Sequence, residues 1–230
     1  MATLFLIRHG LTAQTGKLLY GQTSGVHLDH RGRAQAEDLA RRFAPVRLTA
    51  LYSSPLERCL ETVAPLAAAK RLPVVERAEL IEMDAGAWTG KHLSALRRKK
   101  AEWSIVQSQP SAFGFPGGEG FAEAQDRVVH EVERIARRHR RGRVAISTHG
   151  DIVRMLLAHF SGAPLDAFQR FVADPASVSV VEVARGTRSY LVLMNETGGL
   201  ARFGDGAEPP WEASRDGRSR RRDSSSKLRG

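Results

Sequence analysis

Two histidines occupy matching places in this chain. Arg8-His9-Gly10 follows the apolar run at residues 4–7, and His149-Gly150-Asp151 follows a second apolar run at residues 144–148. Runs of this length, bounded by polar residues and glycine, read as buried strands of a parallel sheet. Ligands of open α/β sheets bind beyond the carboxyl ends of the strands, so each imidazole faces a crevice. The pair can meet there as a nucleophile and a hydrogen-bond donor, or as two metal ligands. A metal needs further ligands at short spacing, and no His-x-x-x-His pair occurs. His27 and His30 lie close together, but in a loop entering a helix, and read as a solvated turn.

Phosphate suits the neighbouring residues better. A phosphomonoester carries nearly two negative charges near neutral pH, and arginine offers a rigid fork of donors to its oxygens. Arg8 adjoins His9, and Arg58 falls in the first turns of the helix after Tyr52-Ser53-Ser54-Pro55. Taken alone, Arg58 would be a surface arginine on an amphipathic helix.

These groups need a frame, and the patterns alternate to give one. After the first strand, residues 11–29 form a loop with Gly16, Gly21 and Gly25, too long for a plain connection and so read as functional. Asp29 is placed to cap a helix over residues 31–43. A strand over 48–53 follows, then a helix opened by Ser54-Pro55, with the proline at or near its first turn and Pro65 as a kink or late interruption, then a short strand at 73–75. The middle is irregular, with a helix over 93–105 and a glycine-punctuated loop or lid at 113–118. Helical period returns over 121–139, and a helix over 152–160 closes at Ser161-Gly162. Strands over 177–183 and 189–194, turned at Gly186, complete an antiparallel hairpin. The alternation predicts an α/β fold with a mostly parallel central sheet flanked by helices, as one domain over residues 1–204.

The formal charge of +10 raises a nucleic-acid reading. Half of the excess lies in residues 213–230, where seven basic residues meet two acidic ones among serines and glycines. Residues 205–230 therefore read as a disordered basic tail, able to touch polyanions weakly and without specificity, since its basic stretch over 213–230 has no interleaved aromatics to stack on bases. The chain has no apolar run long enough to span a membrane and no secretory leader pattern, and its single cysteine, Cys59, cannot close an internal disulfide. These features predict a cytoplasmic protein.

Leu6-Ile7-Arg8-His9-Gly10 with Thr12, Ser53-Ser54-Pro55-Leu56-Glu57-Arg58 with Thr62, Glu82 with Gly86-Ala87-Trp88, Pro116-Gly117-Gly118-Glu119 and Ser147-Thr148-His149-Gly150 resemble the ordered motifs of the histidine phosphatase superfamily, in its phosphoglycerate mutase-like branch. The resemblance runs from about residue 4 to residue 194. It implies a three-layer sandwich in which His9 attacks phosphorus and carries a phosphohistidine. Arg8, Arg58 and His149 would hold the phosphoryl oxygens as three cationic groups, so that neither metal nor cofactor is implied. Glu82 matches the acidic position that protonates the leaving oxygen, with Asp84 as the alternative. Thr15, Gly21, Gln22 and Gly150 are the candidate substrate-binding residues. Relatives have an acidic or amide residue where this chain has Leu11, an Asn where it has Thr15, and a serine where it has Gly120, which bears on substrate identity.

The compact middle segment favours a hydrolase of a small phosphorylated metabolite over a phosphomutase, whose inserts keep water from the intermediate. Residues 103–109, 115–118 and 174–179 are similar to a phosphomutase-like actinobacterial subgroup. A non-catalytic interaction protein would be expected to have lost one of Arg8, His9, Arg58, Glu82 and His149, and all five are present.

Overall fold

In the computed structural model, residues 1–184 and 189–204 are described; the turn expected at Gly186 and the basic tail lie outside them. Six strands form the main sheet: β1 (Ala2–Arg8), β3 (Ala50–Ser53), β4 (Val74–Glu76), β6 (Arg143–Thr148), β7 (Val178–Val183) and β8 (Ser189–Glu196). Their spatial order is β4-β3-β6-β1-β7-β8. The first four of that order run parallel, and β7 and β8 join antiparallel as the expected hairpin. A separate ribbon pairs β2 (Leu18–Leu19) from the long N-terminal loop with β5 (Lys91–His92).

The period of two along β1 explains the layers. Phe5 and Ile7 pack with Leu39 of α1 (His30–Arg42), with Phe43 at its C-terminal cap, and with Val63 and Leu66 of α2 (Glu57–Lys70). Leu4 and Leu6 pack with Val128, Val132, Ile135 and Leu156 of α5 (Phe121–Arg138) and α6 (Gly150–Ser161). All four β1 side chains are buried, as a strand covered on both faces requires. The three-layer α/β sandwich is therefore as expected. β6 lies between β1 and β3 although it comes last of the three in sequence, so the segments leaving all three strands emerge side by side. Arg8 pairs with Thr148 and Ser53 with Ser147, which sets His9, His149 and Ser54 at one sheet edge.

The caps follow the sequence. Asp29 accepts from the Gly32 amide at 2.8 Å, and Gly162 closes α6 in the left-handed region at φ +77°. Pro55 lies just before the Leu56 cap of α2, near the first turn as expected. One expectation changes. The helix over 93–105 is two, α3 (Leu93–Arg97) and α4 (Lys100–Ser108), parted within the cationic run 97–100 where Arg97 and Lys99 lie over the Trp103 and Trp88 rings.

The glycine-rich stretch at 113–118, expected as a loop or lid, is a loop that forms a wall held against residues 84–87. Its Pro116 carbonyl takes the Ala87 amide and the Glu119 amide binds the Asp84 carbonyl, at 2.8 and 2.9 Å. A Cβ on Gly118 would lie 2.4 Å from that Asp84 oxygen, so only glycine permits the approach.

Candidate active site

A cavity of about 590 Å³ opens at the strand exits, lined at one end by Arg8, His9, Thr15, Gly21, Glu82 and Gly150. His9 is 2 % exposed. Its Nδ1 lies 2.8 Å from the Gly10 carbonyl oxygen, which can only accept, so Nδ1 carries the proton and Nε2 the free lone pair. Burial first, then the Arg58 and Arg8 charges, push the His9 pKa down to about 3. The imidazole is therefore neutral and nucleophilic throughout the ordinary pH range.

The two arginines are anchored by part of their donors only. Arg8 gives Nη1 to the Ala173 carbonyl at 2.6 Å, and its buried Nε has no protein partner. Arg58 is wholly buried in the first turn of α2, with Nη2 on the Gly21 carbonyl at 2.7 Å, Nη1 on that of Thr23 at 3.1 Å, and the Tyr20 ring 4.8 Å away; its Nε also lacks a partner. A buried guanidinium N–H without an acceptor is costly unless an anion completes it. This donor set fits a phosphoryl group.

His149 is fully buried, its ring centroid 5.4 Å from that of His9. Burial, Arg58 and His9 hold its pKa well below the usual range, so it is a neutral donor and not the cation expected from the sequence. Ser54 Oγ, which accepts from the Leu56 amide, shares a hydrogen bond of 2.8 Å with Nε2, and Nδ1 lies 3.9 Å from Glu82 Oε2. The neighbouring Cys59 Sγ is 3.5 Å from Nε2; burial pushes this thiol up to about 12, leaving it inert.

Glu82 also lines the cavity. Burial, then the Asp151 carboxylate, push its pKa up to about 7, against opposing pulls from the Met83 amide, Arg58 and Arg8. Asp84 is exposed and caps the Gly86 amide at 2.9 Å, away from the cavity. The substrate-binding candidates divide. Thr15 lines the cavity, its hydroxyl bonded to the Thr12 amide and hydroxyl. Gly21 acts through its carbonyl on Arg58, and a Cβ on Gly150 would lie 3.0 Å from Arg8 Nε. Gln22 is exposed and off the cavity; its amide donates to the Glu82 carbonyl at 2.9 Å, so it steadies the acid's backbone.

Sequence reasoning missed several positioning residues. Arg127 on α5 binds Glu119 through two hydrogen bonds of 2.7 and 2.8 Å and caps the Glu79 and Ile81 carbonyls just before Glu82. Asp151, in the first turn of α6, lines the cavity and pairs with Arg154 at 3.1 Å. Its signal was its place two residues past His149. His27, read as part of a solvated turn, pairs with Glu61.

The family model of the histidine phosphatase superfamily (branch 1) matches residues 4–197. Phosphoserine phosphatase 1 of Hydrogenobacter thermophilus is 30% identical over 204 residues, 88% of this chain and 96% of that one. The adenosylcobalamin/alpha-ribazole phosphatase of Escherichia coli is 27% identical over 198 residues, covering 86% and 98% of the two chains. Bacillus stearothermophilus YhfR superposes with a TM-score of 0.79 at 29% identity over 85% of this chain and 98% of its own.

Proposed function

From the premise that this chain belongs to the histidine phosphatase superfamily, as a phosphomonoester hydrolase, we propose that His9 is the nucleophile and Glu82 the acid and base of a two-step transfer. The observation that carries the reading is the neutral His9, Nδ1 committed to a carbonyl, under the charges of two arginines whose buried Nε–H groups lack a protein acceptor.

In the first step His9 Nε2 attacks phosphorus as the ester P–O bond breaks, and the leaving oxygen takes the Glu82 proton. Arg8 and Arg58 meet the charge on the phosphoryl oxygens, and His149 adds a neutral N–H. In the second step Glu82, now a carboxylate, takes a proton from water while that water attacks phosphorus and the P–N bond breaks. Inorganic phosphate leaves, and His9 and protonated Glu82 are restored.

The substrate is a small phosphorylated metabolite. The differing substrates in the relatives' names leave its identity to this chain's own cavity. The tail is proposed to make only weak polyanion contacts, and the compartment to be the cytoplasm. No helix of the described residues is long and apolar enough to cross a membrane.

The test is rapid quench with a phosphate-labelled aryl phosphate in water enriched with heavy oxygen. The wild type should form an acid-labile, alkali-stable phosphoenzyme and place heavy oxygen in the released phosphate; His9→Ala should do neither. Undiminished turnover by His9→Ala overturns the assignment of the nucleophile. Transfer to an added alcohol in preference to water would make the enzyme a phosphomutase.

A further inference from the structure

A phosphoryl group occupies about the space of two or three waters, each about 30 Å³. The cavity holds about 590 Å³, so most of it is left to the group that departs. Beyond the His9 end its walls are apolar and aromatic. Trp103, half-buried on α4, is stacked on Trp88 at 6.4 Å with planes 14° apart. Phe115 meets Trp88 edge to face at 5.5 Å, and Phe121 bridges Phe115 and Phe168 at 5.6 and 5.5 Å. Leu19, from the two-residue strand in the N-terminal loop, adds an aliphatic side.

Among the polar groups of the lining, Arg154 pairs with Asp151 through Nη1 at 3.1 Å and keeps its buried Nε without a protein partner, while the two glutamines are engaged. Gln107 donates to Gln169 at 2.7 Å, and Gln169 donates in turn to the Val106 carbonyl at 2.7 Å. Arg97 sits at the rim with its guanidinium over the Trp103 ring, 5.9 Å from the centroid. A small zwitterionic leaving group placed here would lose water and gain few hydrogen bonds. A ring would bury apolar surface on both sides and meet aromatic edges and faces.

We propose that the cavity takes phosphomonoesters whose leaving group is an apolar, ring-bearing alcohol, and that Trp103 is a residue that determines this specificity. The inference rests on the phosphatase reading of the same site. Chemistry and binding are separated by keeping the leaving oxygen an alkoxide throughout: ethyl, 2-phenylethyl and 2-naphthylethyl phosphate, with phosphoserine alongside.

In the wild type, kcat/KM should rise along the ring series, on the order of tenfold per added ring and mainly through KM, with phosphoserine near ethyl phosphate. The ratio of kcat/KM for the naphthylethyl and ethyl esters should fall about tenfold in Trp103→Ala and recover in Trp103→Phe. A flat series, phosphoserine as the best of the four, or a ratio unmoved by Trp103→Ala overturns the proposal. The wild-type series decides even where a variant fails to fold. Failure of the phosphatase reading looks different: no ester, 4-nitrophenyl phosphate included, would give the acid-labile phosphoenzyme.

Discussion

Replacing Glu82 by Gln keeps the side-chain shape and removes the proton that, on the proposed mechanism, the leaving oxygen takes. The carboxyl titrates at about 7 where an ordinary glutamate titrates at 4.5. At pH 7 about half of Glu82 is therefore protonated, against roughly 0.3% for an unperturbed carboxyl, so burial and Asp151 supply about 150 times more acid. An alkoxide leaves poorly without a proton, whereas 4-nitrophenolate leaves unaided. Glu82→Gln should lower kcat/KM for an alkyl phosphate by about 10²- to 10⁴-fold and for 4-nitrophenyl phosphate by far less. The alkaline limb of the alkyl pH profile, near 7 in the wild type, should also disappear.

The same substitution changes stability in a defined direction. A folded-state pKa above the unfolded value means that the native protein holds the proton more tightly. Wild-type stability therefore falls as pH rises from about 4.5 towards 7, and the penalty stays constant above that. Glu82→Gln carries no such penalty, so its thermal midpoint should match the wild type near pH 4 and exceed it at pH 8. The gain at pH 8 has an upper limit of about 3 kcal/mol. Paired kinetics and thermal melts at the two pH values check both halves. Equal rate losses for the alkyl and aryl esters, or a melt difference independent of pH, would refute the assignment of Glu82 as the half-buried acid.

Asp151→Asn removes the carboxylate that, after burial, does most to raise Glu82, so the alkaline limb of kcat/KM should move to lower pH; a pH profile with an alkyl phosphate checks this. Gly150→Ala would put a methyl 3.0 Å from Arg8 Nε and 3.1 Å from its Cζ, displacing the guanidinium beside His9. Its kcat/KM should fall on the order of tenfold or more with the melting temperature little changed, a combination read by steady-state kinetics and calorimetry.

The parts legible in the sequence are those set by local rules. Two apolar runs buried on both faces mark β1 and β6 without ambiguity, and each ends in a histidine, so the meeting of His9 and His149 follows once the strands are parallel neighbours. Asp29 before a helical period is likewise a local signal. What stayed hidden depends on partners far along the chain. Gln22 is assigned from the sequence to substrate because nothing local shows the Glu82 carbonyl 60 residues away. Arg127 on a helix face looks like a solvated arginine until Glu79, Ile81 and Glu119 surround it. The neutrality of His149 was out of reach for the same reason, since burial is a tertiary property.

Charge and burial at this site serve two tasks at once. Were His9 exposed, it would titrate near 6.5 and a large share would be protonated at neutral pH; the low pKa arises from enclosure together with Arg58 and Arg8. On the proposed mechanism those guanidiniums also hold the phosphoryl oxygens, so the field that keeps His9 unprotonated would also receive the substrate. Arginine suits both roles because it stays charged when buried, where a lysine would yield its proton. The cost falls on Glu82, which the same positive field would ionise. Burial and Asp151 outweigh that pull, and the fixed wall around Asp84 and Gly118, with Arg127 behind it, holds the acid's segment in place. An acid and a nucleophile with opposite electrostatic needs can therefore share one cavity, because a carboxylate two residues past His149 offsets at Glu82 what the arginines impose at His9.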